Sequence, residues 1–265
     1  MITFEKMTAL ISGASSGIGR AFAETLAAKG ASVILVARSK GKLDSLAAQI
    51  RKKHKVAADV IVADLSKEKA PDTVFAKVRR LGHRVDILVS NAGFGTYGRF
   101  HDLSVHDDHR EIMLNVAALV RLTHLFLPGM VKRREGIIMN VASAATFQPA
   151  PFMAVYGASK AFVLSFSEAL WAEYRAQGIR VLAVCPGPTE TNFFKVAGNG
   201  DATPGRKRTA EDVVATALRG LERGKSYVVD DRLIYLGTLS VRLAPRGVVA
   251  SSAARIMAPK ARSKK

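Results

Sequence analysis

The chain has 265 residues, of which 48% are hydrophobic and 23% charged, and this composition excludes a disordered protein. Lysine and arginine outnumber aspartate and glutamate by 40 to 22, so the net charge of +18 favours anionic partners. The basic residues fall in short runs, and no helix-turn-helix, zinc-finger or aromatic-basic motif accompanies them. We interpret them as solvated helix faces and a basic tail at 260–265, not as a nucleic-acid surface.

The cysteine and apolar patterns bear on location. The single cysteine, Cys185, cannot form an intrachain disulfide, and no Cys/His cluster has the spacing of metal ligands. We therefore expect a reducing, cytoplasmic location and no metal. Residues 1–7 lack the features of a signal peptide, and no uninterrupted apolar run reaches the ~18 residues of a membrane span.

Apolar, β-rich segments alternate with helical patterns along the chain. The predicted strands are residues 8–12, 33–37, 57–62, 85–89, 136–141, 180–185 and a shorter 226–229. The main predicted helices are 20–29, 43–52, 108–127 and 156–177. Continuous apolar strands are typical of a parallel sheet buried on both faces, and the alternation predicts right-handed crossovers. We predict a single-domain α/β fold: a doubly wound, Rossmann-like parallel sheet of about seven strands with helices on both faces.

The C-terminal part differs in pattern. Residues 1–230 are predicted to hold the sheet and the site, and 231–265 a helical extension with the basic tail, in the same domain. Pro245 interrupts the apolar extension and is suited to start a second helix. The extension either covers a pocket or pairs subunits, or it lies on anionic lipid as an amphipathic helix. The sequence favours packing, because the apolar positions leave no clean polar face.

A glycine-rich turn joins the first predicted strand to the first helix: Gly13-Ala14-Ser15-Ser16-Gly17-Ile18-Gly19. Such a turn directs backbone N–H groups and a helix N-terminus at an anionic pyrophosphate. Its spacing, G-x-x-x-G-x-G, differs from the G-x-G-x-x-G fingerprint, so the match is in mechanism. A tight turn without a ligand is the alternative.

The end of the second strand predicts the type of dinucleotide. NAD binders carry an acidic residue there, but this chain has Ala37, Arg38 and Ser39. An arginine can bind a 2′-phosphate through two charge-assisted hydrogen bonds, with Ser15, Ser16 and Ser39 as further donors. We predict NADP(H) as the cofactor; the alternative is that Arg38 is a surface residue.

Candidate chemical groups follow the other strands. Tyr156 and Lys160 are spaced i, i+4 on one helix face, where an ammonium lowers the pKa of a phenol. Ser143 follows the fifth strand, and its hydroxyl can bind a developing oxyanion. Asn115 lies in the predicted helix 108–127, which follows the fourth strand, either in the site or as a side chain that kinks the helix. Two loop segments follow the fourth and the sixth strand at the same edge: Asn91-Ala92-Gly93 and Pro186-Gly187-Pro188-Thr189.

The substrate side is apolar in pattern. The candidates are aromatic and small residues on loops near the proposed chemistry: Phe94, Ala145, Phe152, Phe193 and Phe194. They indicate a lipophilic substrate, although ordinary core packing explains each one equally well. Segment 191–209 is predicted to be a loop that closes over the substrate and excludes water.

Together these residues resemble the short-chain dehydrogenase/reductase family, from about residue 7 to about residue 229. The family's T-G-x-x-x-G-I-G appears with Ser12 in place of threonine, and its N-N-A-G appears with Ser90 first. The family's acidic-apolar pair that flanks the adenine ring appears as Asp64-Leu65. Its catalytic tetrad appears as Asn115, Ser143, Tyr156 and Lys160.

The resemblance implies roles for these residues. Tyr156 would exchange the proton, Lys160 would lower its pKa and hold the nicotinamide ribose, Ser143 would polarise the substrate oxygen, and Asn115 would position a water. Residues near the nicotinamide carboxamide would be Pro186, Gly187, Thr189 and Thr191. The implied activity is hydride transfer between NADP(H) and a carbonyl or secondary alcohol.

The resemblance also implies assembly into a homodimer or homotetramer through helices around 114–127 and 156–177. Family substrates include ketoacyl thioesters, steroids, sugars and xenobiotic ketones. Two other hypotheses remain open: a catalytically idle NADP-binding sensor or scaffold, and a nucleic-acid binder suggested by charge alone.

Overall fold

The protein is described here by a computed structural model, which covers residues 2–191, 193, 197 and 207–258. Seven parallel strands form one sheet in the order β3-β2-β1-β4-β5-β6-β7. Their bounds are β1 Thr8–Ser12, β2 Ser32–Ala37, β3 Ala58–Val62, β4 Ile87–Ser90, β5 Gly136–Val141, β6 Ile179–Cys185 and β7 Tyr227–Val229. The predicted fold class is confirmed, and each strand end lies within two residues of its prediction.

Helices connect the strands and cover both faces of the sheet. Their bounds are α1 Gly17–Ala28, α2 Lys40–His54, α3 Ala70–Arg80, α4 Val105–Ile112, α5 Ala118–Arg133, α6 Ala154–Tyr174, α7 Ala210–Glu222, α8 Arg232–Ser240 and α9 Arg246–Met257. The helix predicted at 108–127 is two helices joined by a π-helical turn at Met113–Ala117. A π turn at this point re-aims the side chains of the helix, which often marks a functional site.

The strand order reverses between β1 and β4, which are neighbours in the sheet. Ligands of doubly wound folds bind at the carboxyl edge beside such a switch point. The central residues of the sheet there, Leu10, Ile34 and Leu88, are fully buried. Because the strands are parallel, the loops after β1, β4, β5 and β6 all leave the sheet at its carboxyl edge.

One helical stretch, Val105–Arg133, is long and apolar enough to span a membrane by length and composition. Leu122, Phe126 and Met130 on its apolar face are buried against the sheet. Packing against the sheet thus accounts for the hydrophobicity of this face of the helix.

The C-terminal extension starts where Asp231 caps α8, its Oδ1 accepting hydrogen bonds from Leu233 N and Ile234 N. Pro245 precedes α9, as predicted. In the single chain Leu233 is 80% and Leu243 90% exposed, and whether the extension pairs subunits stays a prediction. Most of the predicted loop 191–209, including Phe194, and the basic tail lie outside the described residues.

Candidate active site

The glycine turn between β1 and α1 approaches the loop after β4 closely. Gly13 and Gly17 have φ values of +68° and +52°, which favour glycine. A Cβ on Gly13 would lie 2.7 Å from Asn91 Nδ2. A Cβ on Gly19 would meet the carbonyl of Gly13, so a glycine here allows the turn to pack closely, and its contact with the cofactor stays a prediction.

The Ser12 hydroxyl ties the two loops together. It accepts hydrogen bonds from Asn91 N at 2.9 Å and Ala92 N at 3.0 Å, and it donates to Val89 O at 3.3 Å. Asn91 Nδ2 in turn donates to Ser12 O at 3.0 Å. The serine hydroxyl makes three of these bonds and the Ser12 main-chain carbonyl the fourth, so the replacement of threonine leaves the arrangement intact.

Arg38 and Asp64 lie at the far end of the site from Tyr156, beyond the ends of β2 and β3. The Asp64 carboxylate accepts hydrogen bonds from Ser66 N at 3.1 Å and Ser66 Oγ at 2.8 Å. Partial burial raises the pKa of Asp64, but the Ser66 bonds and the charge of Arg38 together hold it below its usual value. Arg38 is exposed, and its guanidinium is therefore available to an anion.

Tyr156 and Lys160 lie one helical turn apart on α6, both buried at 9% and 5% exposure. Lys160 Nζ donates to Val141 O at 2.8 Å and lies 5.9 Å from the centroid of the Tyr156 ring. The Ser143 hydroxyl hydrogen-bonds the Tyr156 phenol and accepts from Ala145 N at 3.1 Å. The three predicted catalytic side chains are thus brought together.

The pKa of Tyr156 differs from the expectation. Burial raises it to about 12, which outweighs the lowering by the Ser143 hydrogen bond, and Glu111 and Cys185 raise it further. Lys160 was expected to lower this pKa, but its Nζ is directed to Val141 O. Burial lowers the pKa of Lys160 itself to about 8, although Glu111 and Cys185 favour its charged form. At pH 7 the phenol is therefore protonated.

Asn115 lies in the π turn, 1% exposed, and bridges three elements. Its Nδ2 donates to Phe94 O at 2.9 Å and to Ser159 Oγ at 3.0 Å, and its Oδ1 accepts from Phe94 N at 3.2 Å. A Cβ on Gly93 would lie 2.9 Å from Asn115 Oδ1 and 3.3 Å from Lys160 Nζ. The Asn115 amide and the Lys160 ammonium thus both lie beside Gly93, and the amide also fixes the Phe94 loop.

One cavity of about 1630 Å³ runs along this edge of the sheet. It is lined by the predicted catalytic and cofactor residues apart from the two that lie behind its wall, Gly19 and Asn115. Of the predicted substrate residues, Phe94, Ala145 and Phe193 line it. Phe152 does not; its ring lies 6.4 Å from Tyr97, and its neighbour Met153 faces the cavity instead.

A family model described as short chain dehydrogenase matches residues 7–201. The chain belongs to the short-chain dehydrogenase family. The resemblance read from the glycine turn, Tyr156 and Lys160 is therefore confirmed.

Two relatives of this short-chain dehydrogenase share one name. The human very-long-chain 3-oxoacyl-CoA reductase is 36% identical over 192 residues, which is 71% of this chain and 61% of the relative. The duck protein of the same name is 38% identical over 195 residues, 71% of this chain and 62% of the relative. The chain thus matches about three fifths of the length of these relatives.

A solved short-chain dehydrogenase from Sphingobium yanoikuyae, in complex with NADPH, has a TM-score of 0.81 and 33% identity, covering 98% of both chains. The bulky-bulky ketone-specific alcohol dehydrogenase from Comamonas testosteroni has a TM-score of 0.78 and 32% identity, covering 98% of this chain and 97% of its own.

The residues of this short-chain dehydrogenase fit a dinucleotide. The glycine turn lines the cavity without side chains beyond Cα at Gly13 and Gly17, as a phosphate cradle requires. Arg38 lines the same cavity at one end and Lys160 at the other. A cavity above the 300–1,000 Å³ typical of one ligand leaves room for a second molecule.

Several residues of the site were missed by sequence reasoning. Glu111 is fully buried one turn before Asn115, and its Oε2 accepts hydrogen bonds from Thr96 N at 3.1 Å and Thr96 Oγ1 at 3.3 Å. Burial raises its pKa to about 7, against these bonds and the charge of Lys160. An acidic residue among surface-like neighbours at 106–110 gives no signal of burial.

Asp230 is a second missed residue. Its Oδ1 accepts a hydrogen bond from Gly187 N at 2.8 Å, which fixes the loop after β6. Burial raises the pKa of this carboxyl, although the Gly187 bond lowers it. Only the register of β7 beside β6 brings the two loops together.

Proposed function

We propose that this chain reduces a bulky, lipophilic ketone to a secondary alcohol, with NADPH as the cofactor. The observation that carries the proposal is the cavity, whose end beyond Tyr156 is bounded by large apolar side chains. These are Phe94, Tyr97, Phe147, Met153, Phe193, Ile234, Val241, Ile256 and Met257. An apolar wall of this size favours a substrate with large apolar groups beside its carbonyl.

The protonation state of Tyr156 supports reduction as the direction of the reaction. A phenol with a pKa of about 12 holds its proton at pH 7 and can donate it to the oxygen of a carbonyl under reduction. Oxidation of an alcohol requires the opposite state, a phenolate that accepts a proton. Ser143, already within hydrogen-bond reach of the phenol, is placed to bind the same oxygen.

Lys160 and Asn115 support the proton transfer. The buried Lys160 ammonium favours negative charge on nearby oxygens, and its neighbour Asn115 is held rigid by bonds to two other elements. NADPH, when bound, supplies the hydride. Arg38 favours NADPH over NADH, because its guanidinium can pair with the 2′-phosphate of NADPH.

The relatives agree with this substrate class. The human relative is named for very-long-chain 3-oxoacyl-CoA, and the Comamonas testosteroni neighbour for bulky-bulky ketones. Both names describe carbonyl compounds with large apolar groups. The homo-oligomer and the cytoplasmic location stay predictions.

The test is an NADPH-oxidation assay of the full chain with matched ketones: a diaryl ketone, a long-chain 3-oxoacyl thioester and acetone. Each CH₂ group moved into an apolar wall contributes about 0.8 kcal/mol. We therefore expect kcat/KM to be at least about 100-fold higher for the better of the two large substrates than for acetone. Equal or higher kcat/KM with acetone would contradict the proposal, as would the absence of turnover with all three.

A further inference from the structure

Helix α8 has two apolar faces that look in opposite directions. Ile234 and Thr238, spaced i, i+4, line the cavity. Leu233 and Leu236 lie on the other side of the helix and are 80% and 59% exposed. Residues 233–241 contain no charged side chain. A helix without charged side chains along most of its length is typical of burial on both sides, but the residues that the structure describes cover only one side of α8.

The segment after α8 continues this pattern. Leu243 is 90% exposed, Val248 on α9 is 57% exposed, and Ile256 near the end of α9 is 73% exposed while also lining the cavity. The Tyr97 hydroxyl donates to Met257 O at 2.7 Å, which fixes the end of α9 at the cavity wall. We call Leu233, Leu236, Leu243, Val248 and Ile256 the C-terminal surface. Ile256 of this surface lines the cavity, and α8, which carries Leu233 and Leu236, lines it through Ile234 and Thr238.

The charged side chains from residue 232 onward are all basic. From residue 232 to residue 265 the sequence has eight basic residues and no acidic residue. The basic residues are Arg232, Arg242, Arg246, Arg255, Lys260, Arg262, Lys264 and Lys265. Asp231, which caps α8 beside Leu233, is the acidic residue that borders this segment. Apolar side chains among basic residues are complementary to a surface that combines acyl chains with anionic headgroups.

We propose that the C-terminal surface docks on an anionic lipid bilayer, with the mouth of the cavity facing the membrane. A second copy of the chain fits less well, because a symmetric contact would bring two wholly cationic segments together. An acidic protein would satisfy the charge but would leave leucines at 80% and 90% exposure against a polar surface. A lipophilic molecule dissolved in the bilayer would then reach the cavity without crossing water.

The docking does not depend on the substrate and is tested without turnover. The full chain is sedimented with vesicles of pure phosphatidylcholine and of phosphatidylcholine with phosphatidylglycerol. We expect binding at least about tenfold tighter to the anionic vesicles, since each cation near such a surface adds roughly fivefold. The double variant Leu233→Ser/Leu236→Ser should weaken binding by a further tenfold or more.

Matched controls use exposed residues on other faces. Leu81 is 47% exposed at the end of α3, and Leu81→Ser should leave vesicle binding unchanged. Arg232→Gln/Arg246→Gln should weaken binding, whereas Lys52→Gln/Lys53→Gln on α2 should not. NADPH affinity should match wild type in every variant, which shows that each is folded.

Three results would overturn the docking: no sedimentation with anionic vesicles, equal binding to both vesicle types, or equal effects of the test and control variants. Light scattering of the protein without vesicles measures its oligomeric state and so shows whether a second copy, rather than a bilayer, covers the C-terminal surface. Loss of a dimer in Leu233→Ser/Leu236→Ser without any vesicle binding by wild type would assign the surface to self-association instead. Failure of the ketone assay would leave the docking result standing.

Discussion

Replacing Glu111 by glutamine should make the stability of the protein less sensitive to alkaline pH. The carboxyl is fully buried, and its pKa rises from an ordinary 4.5 to about 7. The folded state therefore binds the proton more tightly than the unfolded state. The neutral carboxyl's contribution is present in full below pH 4.5 and is lost as the pH rises through about 7. The shift corresponds to a loss of about 3 kcal/mol in the free energy of unfolding.

The Glu111→Gln variant has no proton to lose, and its amide oxygen can still accept from Thr96. We expect the variant's free energy of unfolding, relative to wild type, to rise by about 2 to 3 kcal/mol between pH 5 and pH 8. Urea unfolding at both pH values measures this difference, with Glu68→Gln on the exposed surface as the control. If the Glu111→Gln difference were the same at pH 5 and pH 8, the buried carboxyl would not titrate as argued.

Two other substitutions test the cofactor end. Arg38→Asp should lower the ratio of kcat/KM for NADPH to that for NADH by about 100-fold, because a charge-assisted hydrogen bond is lost and a like charge faces the 2′-phosphate; an unchanged ratio would reject this role. Gly13→Ala should destabilise the protein by about 2 kcal/mol more than Gly82→Ala in urea unfolding, since only the Gly13 Cβ meets a neighbour, Asn91 Nδ2. Equal losses in the free energy of unfolding would show that only the strain of a positive φ angle destabilises the variants, because both glycines have positive φ.

The strands and the site residues that follow them were predictable because they depend on local patterns. A buried parallel strand reads as a continuous apolar run, and β1 and β5 match their predicted bounds. The carboxyl edge then gathers the loops of successive strands without knowledge of side-chain contacts. This rule places Ser143, Asn91 and Gly187 correctly along the cavity.

What escaped prediction depends on long-range burial. The π turn around Asn115 shifts the register of a helix that reads as continuous. The burial of Glu111 and Asp230 follows from helix packing and from the pairing of β7. The expected lowering of the Tyr156 pKa considered a charge at helical spacing but could not include the cost of burying the phenol.

The central claim is that the Tyr156 phenol supplies the proton, and the variant Tyr156→Phe tests it most directly. The phenylalanine keeps the ring that packs 5.0 Å from Phe193 and removes only the hydroxyl. We expect kcat for ketone reduction to fall by about 100- to 10,000-fold while the Kd of NADPH, measured by fluorescence titration, stays within about twofold. A kcat close to that of the wild-type enzyme would contradict the account.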